Sequence, residues 1–327
     1  MNNITKTHKT MKRFFFTLCG TFALMLTACA QQEPATVYFT KEITPESLVK
    51  IYKQLGVKPH GRVAVKISTG EMGGNNYLKP TLIRELVDEV DGTIVECCTA
   101  YGGSRQDKRK HWETIHAHGF DSIAQVVLMD EKEDMRIPVR DTTWIKYDIV
   151  GKKLKDYGFM INLAHFKGHV MGGFGGVLKN QSIGVASTAG KAYIHSHGVT
   201  DQTPQCWQHT QPQDAFLESM AAAADAVEQY MGKGNIIYIN VMNNISIDCD
   251  CDAHPKAPEV QDIGILASTD PVALDKACLD KVYGIQPDQN NNPTPLIKRI
   301  EKQHGGHIID HAEKIGMGRK AYKLVEL

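Results

Sequence analysis

Asp248-Cys249-Asp250-Cys251-Asp252 packs two thiols and three carboxylates into five residues. As anions these groups repel one another, and a cation relieves the repulsion; thiolate ligands suit zinc or an iron–sulfur centre. Two cysteines leave a four-ligand site incomplete. His165, His169, His254, Cys97 and Cys98 are of the right types to finish it. A disulfide from this segment to Cys97 or Cys98 is the competing use of the same sulfurs, which an oxidising compartment permits. His165 and His169 bracket Lys167 in His165-Phe166-Lys167-Gly168-His169. Imidazole is the commonest metal ligand, so His165, His169, Cys249 and Cys251 form the expected metal set, for iron or zinc. Lys167 and His169 are the expected catalytic residues, because a desolvated lysine can act as a base or Schiff-base amine. Further on, Gly172-Gly173-Phe174-Gly175-Gly176-Val177-Leu178-Lys179-Asn180 offers an anionic ligand the backbone of Gly175 and Gly176 and the side chains of Lys179 and Asn180. The run does not match the P-loop template. His195, His197, Cys206 and His209 are further candidate ligands.

These segments act together only if the elements between them converge. Residues 62–68, 93–97, 123–129, 158–164, 235–241 and 262–267 read as strands, rich in β-branched residues or continuously apolar. Helices are expected from Pro80 to about residue 90, into His118-Gly119, over 213–231, and from Pro271 with Asp270 as its N-cap. This alternation predicts βαβ units and a three-layer α/β fold with a mostly parallel sheet flanked by helices. Residues 41–327 are expected to form a single domain, with a hairpin or sheet-edge excursion over 130–155 and an irregular excursion near 184–212. Ligands of open parallel sheets bind outside the carboxyl ends of the strands. The loops dense in Gly, His, Lys, Asp and Cys all follow predicted strands.

Lys+Arg and Asp+Glu are equal at 37 each, so no global field draws the chain to nucleic acid. The expected partner in solution is a small-molecule ligand. At the N-terminus, Lys6, Lys9, Lys12 and Arg13 precede an apolar run over 14–26, shorter than the ~20 residues a spanning helix needs. Leu26-Thr27-Ala28-Cys29 then resembles a lipobox. Residues 1–28 read as a lipoprotein signal peptide, Cys29 as the acylated residue, and 29–40 as a tether. The expected product is a lipoprotein anchored by its acyl chains, palmitate among them, facing the periplasm or the cell exterior.

Tyr77-Leu78-Lys79-Pro80, the run from His165 to Asn180, Asp248-Cys249-Asp250-Cys251, and the run from Asp262 through Asp270-Pro271-Val272-Ala273-Leu274-Asp275 resemble, in this order, the family called domain of unknown function 362. Its members are described as uncharacterised iron–sulfur centre proteins, so the resemblance implies an iron–sulfur cofactor. Many relatives hold their clusters in a ferredoxin-like insert. Here the stretch between Asn180 and the strand at 235 contains Cys206 as its lone cysteine, so the insert's clusters are not built by this chain. Any metal falls to His165, His169, Cys249 and Cys251.

The sequence therefore predicts an exported lipoprotein with a metal site at the carboxyl edge of the sheet, acting as a redox-linked enzyme on a small anionic or carbonyl substrate. Two alternatives stay open. One is a non-redox isomerase or hydrolase using Lys167 and a histidine for proton transfer. The other is a non-catalytic lipoprotein that captures a metal or small ligand.

Overall fold

A computed structural model describes residues 33–327. The signal peptide and Cys29 lie outside the described residues. The chain runs through β1 (Ala35–Thr40), α1 (Pro45–Gln54), β2 (Val63–Lys66), α2 (Pro80–Glu89), β3 (Gly92–Glu96), α3 (Lys108–His118) and β4 (Val126–Leu128). A hairpin follows, β5 (Asp134–Pro138) and β6 (Tyr147–Gly151), then β7 (Phe159–His165), the small ribbon β8 (Lys167–His169) and β9 (Gly173–Gly175), α4 (Val177–Val185) and α5 (Thr188–His195). The last part comprises α6 (Gln213–Met231), β10 (Ile236–Met242), β11 (Gly264–Ser268), α7 (Pro271–Tyr283), α8 (Thr294–Lys302), α9 (His307–Lys314) and β12 (Tyr322–Glu326).

Eight strands form one sheet in the order β12-β1-β11-β10-β7-β2-β3-β4. Five of its seven pairings are parallel, with β11 antiparallel to both β1 and β10. The fold is α/β, as predicted. Side chains of a strand alternate between faces, and both faces of the central strands are buried. Ile236, Tyr238 and Met242 of β10 enter one apolar cluster with α4, α6 and α7, while Ile237, Ile239 and Val241 enter the other with α1 and α2. That produces three layers. The sheet grows from β2 through β3 to β4 on one side and from β7 to β10 on the other. The switch point therefore lies between β2 and β7, where open sheets place their ligands.

Two sequence expectations change. Residues 35–40, assigned to the tether, form β1, because Val37 and Phe39 are fully buried against the core while Thr36 is exposed. The region 184–212, expected to be irregular, contains α5 and a short 3-10 turn, Gln205–Gln208. Residues 190–195 of α5 are all buried, so the helix lacks the apolar stripe by which sequence periodicity betrays a helix. His165 closes β7 and Lys167 to His169 form β8, with Phe166 between them. Among the described residues no helix is long and apolar enough to cross a membrane.

Candidate functional site

A cavity of about 600 Å³ opens at the carboxyl ends of β2, β3 and β7. Lys66, Arg105, Lys167, Lys179 and Lys191 line it, together with His169, His195 and the Cys249–Cys251 segment.

The N-terminus of α4 forms one wall, and its construction explains two sequence motifs. No side chain of its own caps this helix. Asp275 of α7 does so from a distance: its Oδ1 and Oδ2 accept the N–H groups of Val177 and Leu178 at 2.9 and 3.0 Å. Asn240 of β10 donates to the same carboxylate at 2.8 Å. Of the predicted anion cradle at Gly175 and Gly176, the Gly176 side is corrected, because a carboxylate of the chain already faces it, while Gly175 packs against the Lys167 and Lys179 side chains. Gly176 is required there, since a Cβ would stand 2.3 Å from Asp275 Oδ1. Asp270, five residues earlier, caps α7 as predicted by accepting from Val272 and Ala273 at 3.0 Å each. Asp275→Ala is expected to destabilise the fold by about 2 kcal/mol, the upper range for a lost N-cap. Urea denaturation measures it, and an unchanged midpoint would contradict the capping role.

Asn180 sits one turn along α4 with its amide fully used. Nδ2 donates to Lys66 O and Asn162 Oδ1 at 3.0 and 2.7 Å, and Oδ1 accepts from Lys66 Nζ at 3.2 Å. Its expected ligand-binding role becomes a positioning one: it holds the Lys66 amine, which also donates to Ile67 O. Lys66 projects from β2 and is 1 % exposed. Burial lowers its proton affinity to about 8.

Lys167 was the expected base. Its Nζ is instead 2.8 Å from Asp250 Oδ2. His165, an expected metal ligand, is also corrected. Nδ1 meets Asp250 Oδ1 at 2.9 Å and Nε2 meets Asn243 O at 2.6 Å. Both ring nitrogens face acceptors, so neither directs a lone pair at a metal. Burial favours the neutral form of Asp250, but His165 and Lys167 override it and hold the carboxyl well below its usual range. Lys167 and His165 together fix the 248–252 loop over the cavity. Gly168 lets the loop approach, because a Cβ there would lie 2.1 Å from Ile247 O.

Lys179 is the amine left open. Among the described residues it has no carboxylate within ion-pair distance, and burial beside Lys167 brings its proton affinity down to about 7. Two imidazoles flank it with opposite hydrogen-bonding faces. His169 Nδ1 accepts from Gly172 N at 2.8 Å, which leaves the proton on Nε2. His195 Nδ1 donates to Lys191 O at 2.7 Å, which leaves the lone pair on Nε2. Burial, with the charge of Lys179 added, keeps His169 neutral well below its ordinary range, and burial lowers His195 to about 4. The cavity therefore presents one neutral N–H donor and one neutral N acceptor at physiological pH.

His169, Cys249 and Cys251 bring one candidate ligand atom each to within 4.8 Å of one another. Two sulfurs and one nitrogen suit zinc or iron in type. As arranged, all three are committed. Cys249 and Cys251 are joined to each other by a disulfide, and His169 spends its lone pair on Gly172. Reduction of the disulfide and rotation of the ring must both precede metal binding. The expected disulfide to Cys97 or Cys98 is corrected, since both are buried free thiols. Burial raises Cys97 well above its usual range and Cys98 to about 12. Neither joins the candidate ligand group, and His254, His197 and His209 do not join it either.

Sequence reasoning missed Arg105. It lies in the loop after β3, 4 % exposed, and pairs with Glu96 at 2.8 Å and Glu71 at 3.3 Å. Tyr101 Oη accepts from it at 2.8 Å, and Asp250 O at 3.4 Å. Burial pushes Glu96 up, but Arg105 and His111 outweigh that and hold its carboxyl far below the normal range. The network ties three loops into one rim. An arginine in a glycine-rich loop gave no local signal of this.

Fold and site define an α/β protein with a cleft at the switch point of its sheet, lined by five basic side chains and by the carboxylates of Glu71, Glu96, Asp248, Asp250 and Asp252. The chain belongs to the family described as Domain of unknown function (DUF362), whose model matches residues 63–280. Among solved structures it is similar to the lactate racemase apoprotein from Thermoanaerobacterium thermosaccharolyticum, at 15 % identity and a TM-score of 0.38, covering 62 % of this chain and 50 % of that one. It is also similar to a structural-genomics protein from Thermotoga maritima, at 11 % identity and a TM-score of 0.43, covering 83 % and 58 %. This chain thus spans 50 % of the length of the first and 58 % of the second. No curated protein matches it.

Proposed function

We propose that the cleft is the active site of an enzyme that binds a small anionic, carboxylate-bearing substrate and moves a proton on it. Neutral Lys179 serves as the base, and the His169 Nε2–H donates to the oxygen on which negative charge develops. One observation carries this reading. Lys66, Lys179 and Lys191 line a single cavity, and among the described residues none of the three has a carboxylate within ion-pair distance. Buried charge without a counter-ion is costly, and an anionic ligand supplies the missing partner. The paired cations, Lys167 and Arg105, shape the walls. Thermal denaturation of the full chain in a panel of small carboxylates and oxo-acids tests the reading. A ligand at ~100 times its Kd adds about 2.7 kcal/mol. Deuterium exchange into that ligand, followed by NMR in D2O, reports the proton transfer. A panel in which no member stabilises the protein sinks the proposal.

The redox-linked reading has an observation of its own, because the Cys249–Cys251 disulfide lines the same cavity. Two electrons and two protons would convert it to two thiols, with an external donor as reductant. Cys249→Ser/Cys251→Ser separates the readings: proton exchange survives it, whereas disulfide-dependent turnover does not.

We also propose that the enzyme is tethered by a lipid on Cys29, outside the cytoplasmic membrane. The support is the order basic residues, short apolar run, Leu26-Thr27-Ala28-Cys29. Labelled palmitate is expected to enter the wild-type chain and not Cys29→Ser, and equal labelling of both would refute the anchor.

A further inference from the structure

A second group of ligating side chains lies away from the cleft, and none of its members lines that cavity. His307 and His311 are one turn apart on α9, and Glu218 projects from α6. Glu218 Oε1 lies 2.9 Å from His307 Nε2 and 3.4 Å from His311 Nδ1. Bonds of about 2.0–2.1 Å at tetrahedral angles set zinc ligands roughly 3.3 Å apart, which these two separations bracket.

The decisive feature is the other side of His311. Its Nε2 lies 2.7 Å from Asp141 Oδ2, so that nitrogen carries the proton. In the neutral ring the Nδ1 lone pair then points at a carboxylate oxygen of Glu218, and two acceptors face each other. His311 is 3 % exposed, so water does not relieve the conflict. A cation between them does. The same Asp141–His311 bond is the carboxylate–histidine support that metal-bound imidazoles receive from their surroundings. Trp144 donates to Glu218 Oε2 at 2.7 Å, which fixes the remaining carboxylate oxygen in the same way. His307 is about one-third exposed, and that side leaves a fourth corner for water.

We propose that Glu218, His307 and His311 form a divalent-cation site of the nitrogen–oxygen type that suits zinc, completed by water. It fastens α9 to α6 and, through Asp141 and Trp144, to the loop between β5 and β6. The site is independent of the catalytic proposal, because it shares no residue with the cleft.

Zinc titration of the full chain against a chromophoric chelator tests it, with Cys249→Ser/Cys251→Ser as background to remove the sulfur pair. This background is expected to keep one tight zinc equivalent and to melt at higher temperature with zinc. Adding His307→Gln, at the most exposed ligand, abolishes both effects. Asp141→Asn, which touches no metal, weakens zinc by roughly 10–100-fold. The proposal is overturned if the background binds no zinc, or if His307→Gln and Asp141→Asn bind it as the background does. Binding lost in the cysteine background but present in the wild type assigns the metal to the sulfur pair and likewise overturns it. An imidazolium of His311 held between Asp141 and Glu218 is the arrangement then left, and it takes up no zinc.

Discussion

Lys179→Met is expected to lower kcat/KM by about 10²–10⁴, the usual contribution of a positioned base, while raising thermal stability. The two effects go together for one reason. Burial lowers the Lys179 proton affinity from 10.5 to about 7, so the folded state holds its ammonium reluctantly. Between about 7 and 10.5 the unfolded chain binds more protons than the folded one at this group. Stability therefore rises with pH across that window and levels off below it. Methionine fills much of the same space without the amine and removes this penalty. Activity follows the deprotonated fraction. It should climb as pH rises through about 7, and the variant should lose that limb. A bound anion favours the ammonium, so the kcat limb should lie above the kcat/KM limb. Measured kinetics and melting curves from pH 5 to 9 check all of this. A variant that is less stable and equally active would place Lys179 among structural residues.

Arg105→Met should have the largest effect on folding, a loss of about 3–5 kcal/mol at pH 7. Whole domains are stable by only ~5–15 kcal/mol. The cost arises because Glu71 and Glu96, 5 % and 6 % exposed at their side chains, lose the one guanidinium that both share. In the wild type both carboxyls sit below their usual range, so they stabilise the fold above the unfolded value of 4.5 and cease to as pH falls. In the variant Glu71 keeps its hydrogen bonds from Ser104 and Tyr101, and Glu96 keeps those from Thr69 and its contact with His111, but both lose the guanidinium charge that offset their burial, so protonation is favoured. The gap between the two proteins should therefore narrow from pH 7 to pH 4. Urea midpoints at both pH values measure it, and a gap that widens in acid would contradict the assignment.

The sequence showed most where the physics is local. Alternation and β-branching placed β2, β3, β7 and β10 to within a few residues, and Asp270 before Pro271 announced a cap. Partners far apart in sequence were hidden. His165 and Asp250 are 85 residues apart, and spacing alone made His165 look like a metal ligand and Asp250 like part of an anionic segment that needs a cation. In the fold they satisfy each other. That same aspartate pairs with Lys167, and in the proposed function Lys179 takes the role of base because, among the described residues, no carboxylate lies within ion-pair distance of it. Gly176 looked like part of an anion cradle, as it is, but the anion is Asp275, on a helix almost a hundred residues on. Cys249 and Cys251 were legible as an unusual pair. That each would take the other rather than Cys97 or Cys98 depends on which thiols the core buries. β11 runs antiparallel to β10 after a connection over 243–263 that holds no helix or strand, and no periodicity encodes that reversal.

The central claim is that one lysine in the cleft is poised to exchange a proton beside an anion. Carbon NMR of the chain labelled at lysine Cε, titrated with and without a carboxylate found in the binding panel, reads this directly. One resonance, absent in Lys179→Met, should titrate near pH 7 and move to higher pH when the carboxylate is bound. If every lysine titrates near 10.5 in the free protein, or the low resonance ignores the ligand, the account of the site is wrong.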